Sequence, residues 1–206
     1  MVPKICGSGI CASSSQLRVC YEHGSGVDKD LGKAVSLVRT AAEQGNAIGQ
    51  NCLAVMYNNG IGIEKDLSAA VKWFRKSAEQ GYAAAICNLG YQYETGSGVS
   101  KDLSEAVRWY RKVAEQGNAY GQYNLAVIYI NGTGVEKNPF EAAKWFRLAA
   151  EQGHKIAQYS LGNLYRIGSG VTKDLSEAVR WYRKSAEQGY ARGQAALGSC
   201  IAMEQA

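Results

Sequence analysis

Histidine is scarce in this sequence: 206 residues hold two, His23 and His154. Histidine-centred acid–base or metal chemistry therefore has almost no ligands to draw on. Long apolar runs are missing too. The N-terminal stretch MVPKICGSGICASSS lacks the continuous apolar segment of a secretory signal, and no later run approaches membrane-spanning length. The expected product is cytoplasmic, without membrane contact. Nor is there a strong excess of one charge. Twenty-three basic and 18 acidic residues leave a formal charge of +5, which suits an acidic partner but is too modest to imply nucleic acid. With 20% charged and 46% hydrophobic residues, the chain has the composition of a folded protein and not of a disordered one.

What the sequence does have is a repeat. Ala-Glu-Gln-Gly recurs at 42–45, 78–81, 114–117, 150–153 and 186–189, a constant step of 36 residues. Gly-x-Gly-(Val/Ile) begins at Gly24, Gly60, Gly96, Gly132 and Gly168 with the same step. Two anchors in one register describe a solenoid, in which each unit buries its apolar face only against its neighbours.

One unit, residues 84–119, shows the local logic. Leu89, Gly90 and Tyr93 follow helical spacing, which predicts a first helix over about 82–94. Gly96 ends it, since glycine reaches the left-handed conformation at least cost. Asp102 caps a second helix, and Glu105, three residues on, is expected to complete a capping box. Ala106, Trp109, Tyr110 and Ala114 form the expected buried stripe of that helix, and Gly117 closes it. The unit is an αα-hairpin.

The pattern Leu-Gly-x-x-Tyr-x-x-Gly-x-Gly-Val-x-x-Asp, then Ala-x-x-Trp-(Phe/Tyr) and Ala-Glu-x-Gly, resembles the Sel-one-like repeat, a family grouped with tetratricopeptide-type helical solenoids. The resemblance covers about residues 12–206. Segments 96–119 and 168–191 differ only at Ser100/Thr172, Val113/Ser185 and Asn118/Tyr190. The resemblance implies an all-α, right-handed α-solenoid of stacked αα-hairpins that serves as a protein-binding scaffold.

On this reading residues 1–11 are an N-terminal tail and 12–206 the array. Its repeats are 12–47, 48–83, 84–119, 120–155 and 156–191, with a capping helix at 192–206, about eleven helices in all. The first repeat is degenerate. Leu17 and Tyr21 hold first-helix positions, Arg18 replaces a small residue, Leu37 stands where later repeats have tryptophan, and Asp30 can still cap. An N-terminal cap is expected to be atypical because one side faces water. Trp73, Trp109, Trp145 and Trp181 form one column, read as core. Phe74, Tyr110, Phe146 and Tyr182 form the next, and Tyr57, Tyr93, Tyr129 and Tyr165 pack between helices. In the fourth repeat Asn138-Pro139 starts the second helix, with Glu141 closing its box.

The cysteines at 6, 11, 20, 52, 87 and 200 keep no repeat register. The cysteine-rich branch of the family places two at fixed spacing in each repeat, unlike this chain. Cys52 and Cys87 fall on helices one repeat apart, beyond easy disulfide reach, so reduced thiols are expected. Cys6, Cys11, Cys20 and His23 lie close in sequence but lack the tight pairs of a zinc site. No metal or cofactor is expected.

Enzymatic readings find little support. His23 and His154 lie in different repeats and cannot share a site. No Ser-x-x-Lys occurs, which weakens the β-lactamase-like hydrolase reading that some relatives attract. Gly-Ser-Gly-Val precedes Lys-Asp in a helix-to-helix turn and lacks the Gly-Lys-(Ser/Thr) of a phosphate loop.

A non-catalytic, monomeric adaptor that binds a protein or peptide is the reading favoured. Its alternative is a basic ridge for nucleic acid or acidic surfaces. That ridge would be built from Lys72, Arg108, Lys144 and Arg180 with Arg39, Arg75, Arg111, Arg147 and Arg183, partly neutralised by Glu79, Glu115, Glu151 and Glu187. For the adaptor, a second stripe on the first helices is the candidate surface, expected on the concave face by analogy with tetratricopeptide arrays. In the fourth repeat it is Tyr120, Tyr123, Val127 and Ile130, at i, i+3, i+7 and i+10. Equivalent positions add Tyr91, Tyr159, Asn163 and Arg166. Aromatic anchors with a polar rim are what binding patches tend to contain. Tyr123 and Tyr159 could instead pack against neighbouring hairpins.

Overall fold

The computed structural model describes residues 31–204. All regular structure among them is α-helical: α1 (Leu31–Glu43), α2 (Ala47–Asn59), α3 (Leu67–Glu79), α4 (Ala83–Thr95), α5 (Leu103–Glu115), α6 (Ala119–Asn131), α7 (Pro139–Glu151), α8 (Lys155–Ile167), α9 (Leu175–Glu187) and α10 (Ala191–Glu204). The expected tail, the first helix of repeat one with Leu17, Arg18 and Tyr21, the Asp30 cap, Cys6, Cys11, Cys20 and His23 lie outside the described residues. The chain divides between Val113 and Ala114 into two compact units. In each, successive helices pack against one another in a solenoid-like arrangement.

Helix ends follow the glycines and short polar side chains. Gly60, Gly96, Gly132 and Gly168 stop first helices in the left-handed conformation, φ 70–75°. Asp66, Asp102, Asn138 and Asp174 cap second helices, each accepting from the N–H three residues on at 2.9–3.1 Å. The capping boxes do not form. The cap residue's own N–H donates instead to a tyrosine carbonyl of the preceding helix: Asp66 to Tyr57, Asp102 to Tyr93, Asn138 to Tyr129 and Asp174 to Tyr165, at 2.9–3.0 Å. That donor is already taken, so Glu105, Glu141 and Glu177 turn outward to Arg108, Lys144 and Arg180.

In the first unit the core joins Val35 and Val38 of α1 to Leu53 and Met56 of α2, with Phe74, Ile86, Leu89 and Tyr110 also enclosed. In the second unit Ala126, Phe146, Leu161 and Trp181 belong to one cluster. The tryptophan column is shallower than expected at three of its four positions. Trp181 is buried, but Trp73, Trp109 and Trp145 are half-buried, and lysines lie over their faces: Lys76 on Trp73 at 4.4 Å, Lys112 on Trp109 at 5.2 Å. The next column takes the interior. Phe74, Tyr110, Phe146 and Tyr182 are each at most 3% exposed.

Tyrosine or phenylalanine in that column is matched by the residue facing it. Gly90 lies against Tyr110, where an added Cβ would come within 3.0 Å of Cε1. Gly162 lies against Tyr182, where it would come within 2.7 Å of Cδ1 and Cε1. The repeats with Phe74 and Phe146 carry Ala54 and Ala126 in the same register. Each tyrosine also finds an acceptor, Tyr110 at Glu94 (3.2 Å) and Tyr182 at Asn163 (2.8 Å). Where phenylalanine stands, positions equivalent to Asn163 hold Val55 and Val127.

Buried glutamines tie the two helices of a hairpin together. Gln50 accepts from Gln80 at 2.7 Å, Gln122 from Gln152 at 2.7 Å and Gln158 from Gln188 at 2.8 Å. The glutamine of each Ala-Glu-Gln-Gly motif in these pairs is therefore a cross-link as well as a helix end. Cys52 is disulfide-bonded, correcting the expectation of a reduced thiol there. The distance argument had weighed only Cys87, which is free and buried, and the Cys52 partner lies outside the described residues. Burial pushes the Cys87 thiol up to about 12.

Candidate partner-binding surface

Seven of the eight stripe residues fall on one face each of α6 and α8, and the structure gives them different surroundings. Tyr120 is 43% exposed. Tyr123, Val127 and Ile130 are half-buried and packed against the core of the second unit. His154, the N-cap of α8, organises the aromatic end. Its Nδ1 accepts the Ala157 N–H at 3.1 Å, which fixes the proton on Nε2. The Tyr123 ring stacks on the imidazole at 4.8 Å, and Tyr120 meets it edge-on at 4.8 Å. Burial, with Lys155 nearby, holds the His154 pKa down at about 4. The row continues through Tyr159, whose ring lies 5.6 Å from Tyr190 and 5.9 Å from Tyr182.

Beyond Tyr159 a cavity of about 770 Å³ opens between α8, α9 and α10. Asn163 and Arg166, both on the candidate stripe, line it with Tyr159. Lys173, Arg192 and Ser199 add polar groups, and Leu175, Val179, Ala195 and Ala196 an apolar wall. Tyr182 reaches its rim, its hydroxyl held by Asn163 and pushed up by burial while Arg166 pulls it down. Sequence reasoning overlooked Lys173, Arg192 and Tyr190. A signal was present: Ala195 stands where the two preceding repeats have Tyr123 and Tyr159.

In the first unit Tyr91 is 44% exposed. Its stripe neighbours turn inward: Cys87 is buried, Asn51 accepts from Asn88 at 3.1 Å, and Glu94 takes the Tyr110 hydroxyl. Burial, reinforced by Glu94, pushes that hydroxyl well above the ordinary tyrosine range.

The basic columns are largely engaged. Arg39, Arg75 and Arg147 donate to the hydroxyls of Tyr57, Tyr93 and Tyr165. Arg108, Lys144 and Arg180 pair with first-turn glutamates at 2.7, 3.7 and 3.0 Å. The neutralising carboxylates are thus Glu105, Glu141 and Glu177, not the expected column of Glu79, Glu115, Glu151 and Glu187. Among the described residues no group of His, Cys, Asp and Glu could hold a metal ion. None of the described helices is long and apolar enough to cross a membrane.

Among the described residues ten helices in a 36-residue period, closed by matched glycines and caps, define an α-helical repeat array. The chain belongs to the Sel1 repeat family, whose model matches residues 13–46, 47–82, 83–118, 119–154 and 155–190. Proteins of this family generally mediate protein–protein interaction and are generally non-catalytic scaffolds. A protective antigen of uropathogenic Escherichia coli with an SLR fold is similar at 37% identity and TM-score 0.86, over 97% of this chain and 43% of that one. This chain thus spans less than half of that relative. A Sel1 repeat protein from Oxalobacter formigenes is similar at 36% identity and TM-score 0.79, over 96% and 78% of the two chains. Cysteine rich protein B of Helicobacter pylori, at 22% identity and TM-score 0.51 over 64% and 94%, shares the fold. No curated protein matches.

Proposed function

We propose that this chain is a non-catalytic adaptor that binds a peptide or protein partner on the stripe of its first helices. Tyr91, Tyr120, Tyr123, Val127, Ile130, Tyr159, Asn163 and Arg166 are the contact residues. The observation that carries this is the aromatic row of the second unit. Tyr120 stays 43% exposed while its ring is held edge-on by His154, so a partner meets a rigid aromatic anchor at low entropic cost. The repeat family supports the reading.

The test is partner capture from native cells by the wild type and by Tyr120→Ala and Tyr91→Ala, each followed by a thermal melt. Exposed positions are chosen because Val127 packs against the core, where Val127→Asp would report on folding. Loss of the same captured protein at an unchanged melting temperature supports the stripe. Unaltered capture by both variants refutes it.

A further inference from the structure

The cavity between α8 and α10 has a specific origin in the register. Where α6 and α8 present Tyr123 and Tyr159, α10 presents Ala195; where α8 has Asn163, α10 has Ser199. Large side chains that occupy the face of the earlier first helices are thus replaced by small ones, and a cavity of about 770 Å³ remains. That is ample for several residues of a bound peptide.

Its charge is one-sided. Arg166, Lys173 and Arg192 line it and, among the described residues, no carboxylate does. Among the described residues none of the three is ion-paired, unlike Arg180 and Lys144 outside the cavity. Arg166 points toward the Tyr182 hydroxyl inside the site, and Arg192 is close enough to Tyr123 to lower its pKa against the effect of burial. Leu175, on the cavity wall, is 54% exposed. Three cations around an apolar floor match a segment that carries carboxylates beside a large apolar side chain.

We infer that this cavity is the specificity pocket of the scaffold, and that it takes an acidic peptide segment with an apolar residue at its centre. The inference rests on the adaptor reading above and adds the chemistry of the partner. The carboxylates pair with Arg166, Lys173 and Arg192. The apolar side chain fills the volume vacated at Ala195 and covers Leu175.

Fluorescence polarisation on the full chain tests it. The probe is a fluorescein-labelled nonapeptide with a central leucine flanked on each side by two glutamates. Its counterparts carry glutamine or lysine in place of glutamate. The acidic probe should bind, weaken as salt rises, and outcompete both counterparts by about tenfold or more. Arg166→Glu with Arg192→Glu, and separately the plugging change Ala195→Trp, should each weaken it by about tenfold or more. All these positions are exposed, and Arg166→Gln with Arg192→Gln provides a milder second variant.

Absence of binding at about 1 mM probe overturns the inference. So does equal binding of the glutamine peptide, which would leave capture through Tyr120 and the adaptor reading standing. Undiminished binding to Ala195→Trp places the peptide elsewhere and likewise overturns it. Self-association of the free chain that Ala195→Trp abolishes would make a second copy the occupant, and the inference fails.

Discussion

Substituting Gly162 by alanine sets two effects against each other. Alanine in a helix interior is favoured over glycine by about 1 kcal/mol. Here its Cβ would lie 2.7 Å from Cδ1 and Cε1 of Tyr182 and 3.2 Å from the Ala178 carbonyl oxygen. The ring is fully enclosed, and its hydroxyl is anchored on Asn163 at 2.8 Å, which holds it against the added carbon. Overpacking of this kind costs about 1–3 kcal/mol, and the expected net loss is about 0–2 kcal/mol. Tyr182→Phe alone should cost about 1 kcal/mol for the lost hydrogen bond. The double variant recreates the Ala126/Phe146 pair of the preceding hairpin, and its unanchored ring can shift. The loss in the double variant should then fall short of the sum of the two single losses by about 1 kcal/mol, well outside the ~0.3–0.5 kcal/mol scatter of independent sites. Urea melts followed by circular dichroism give all four corners of the cycle. Gly198→Ala is the control: nothing lies within 4 Å of its added Cβ, so the helix-propensity gain should appear uncompensated. Additivity, or a stabilised Gly162→Ala, would refute the coupling.

Two further outcomes follow from side-chain surroundings. Tyr110→Ala, in a fully enclosed position, should cost about 3–5 kcal/mol, and Trp109→Ala clearly less, because the indole is half-buried and its Nε1 already lacks a partner; equal losses in urea would contradict the assignment of the interior column. His154 has a folded pKa of about 4 against 6.5 when unfolded. The unfolded chain therefore takes up a proton first, and melting temperature should fall as pH drops from about 6.5 toward 4 and level off below. His154→Asn, the residue that Asn118 already uses as a cap, should flatten that part of the profile.

Period, hairpin boundaries and caps were legible because each rests on local chemistry repeated in register. Gly96 must turn left-handed and Asp102 must cap, whatever lies beyond them. What escaped depends on competition between neighbours. Glu105 at the third helical position implies a capping box, but the Asp102 N–H is claimed by Tyr93, nine residues back across the loop. Tryptophan in a repeated apolar column suggests burial, yet Trp109 is half-buried while Tyr110 in the next column is enclosed. For the candidate surface, the stripe through Tyr120, Tyr159 and Arg166 could be drawn from spacing alone. The cavity could not, because it arises from what α10 lacks, and an absent side chain is visible only against the other repeats.

The pairing of Gly90 with Tyr110 and of Gly162 with Tyr182 bears on how such an array can grow. Both members of each pair lie inside one 36-residue unit. A duplication that copies a unit whole, or a crossover in the Ala-Glu-Gln-Gly stretch, carries the pair along intact. A crossover in the Gly-x-Gly loop parts them, joining alanine to tyrosine in one product and glycine to phenylalanine in the other, a clash and a void. The near-identity of 96–119 with 168–191 extends across that loop and the second helix, and both copies are of the glycine–tyrosine kind. Exchange through the loop should therefore cost little between units of like kind and more between unlike ones, and the array alternates the two kinds: Ala54 with Phe74, Gly90 with Tyr110, Ala126 with Phe146, Gly162 with Tyr182.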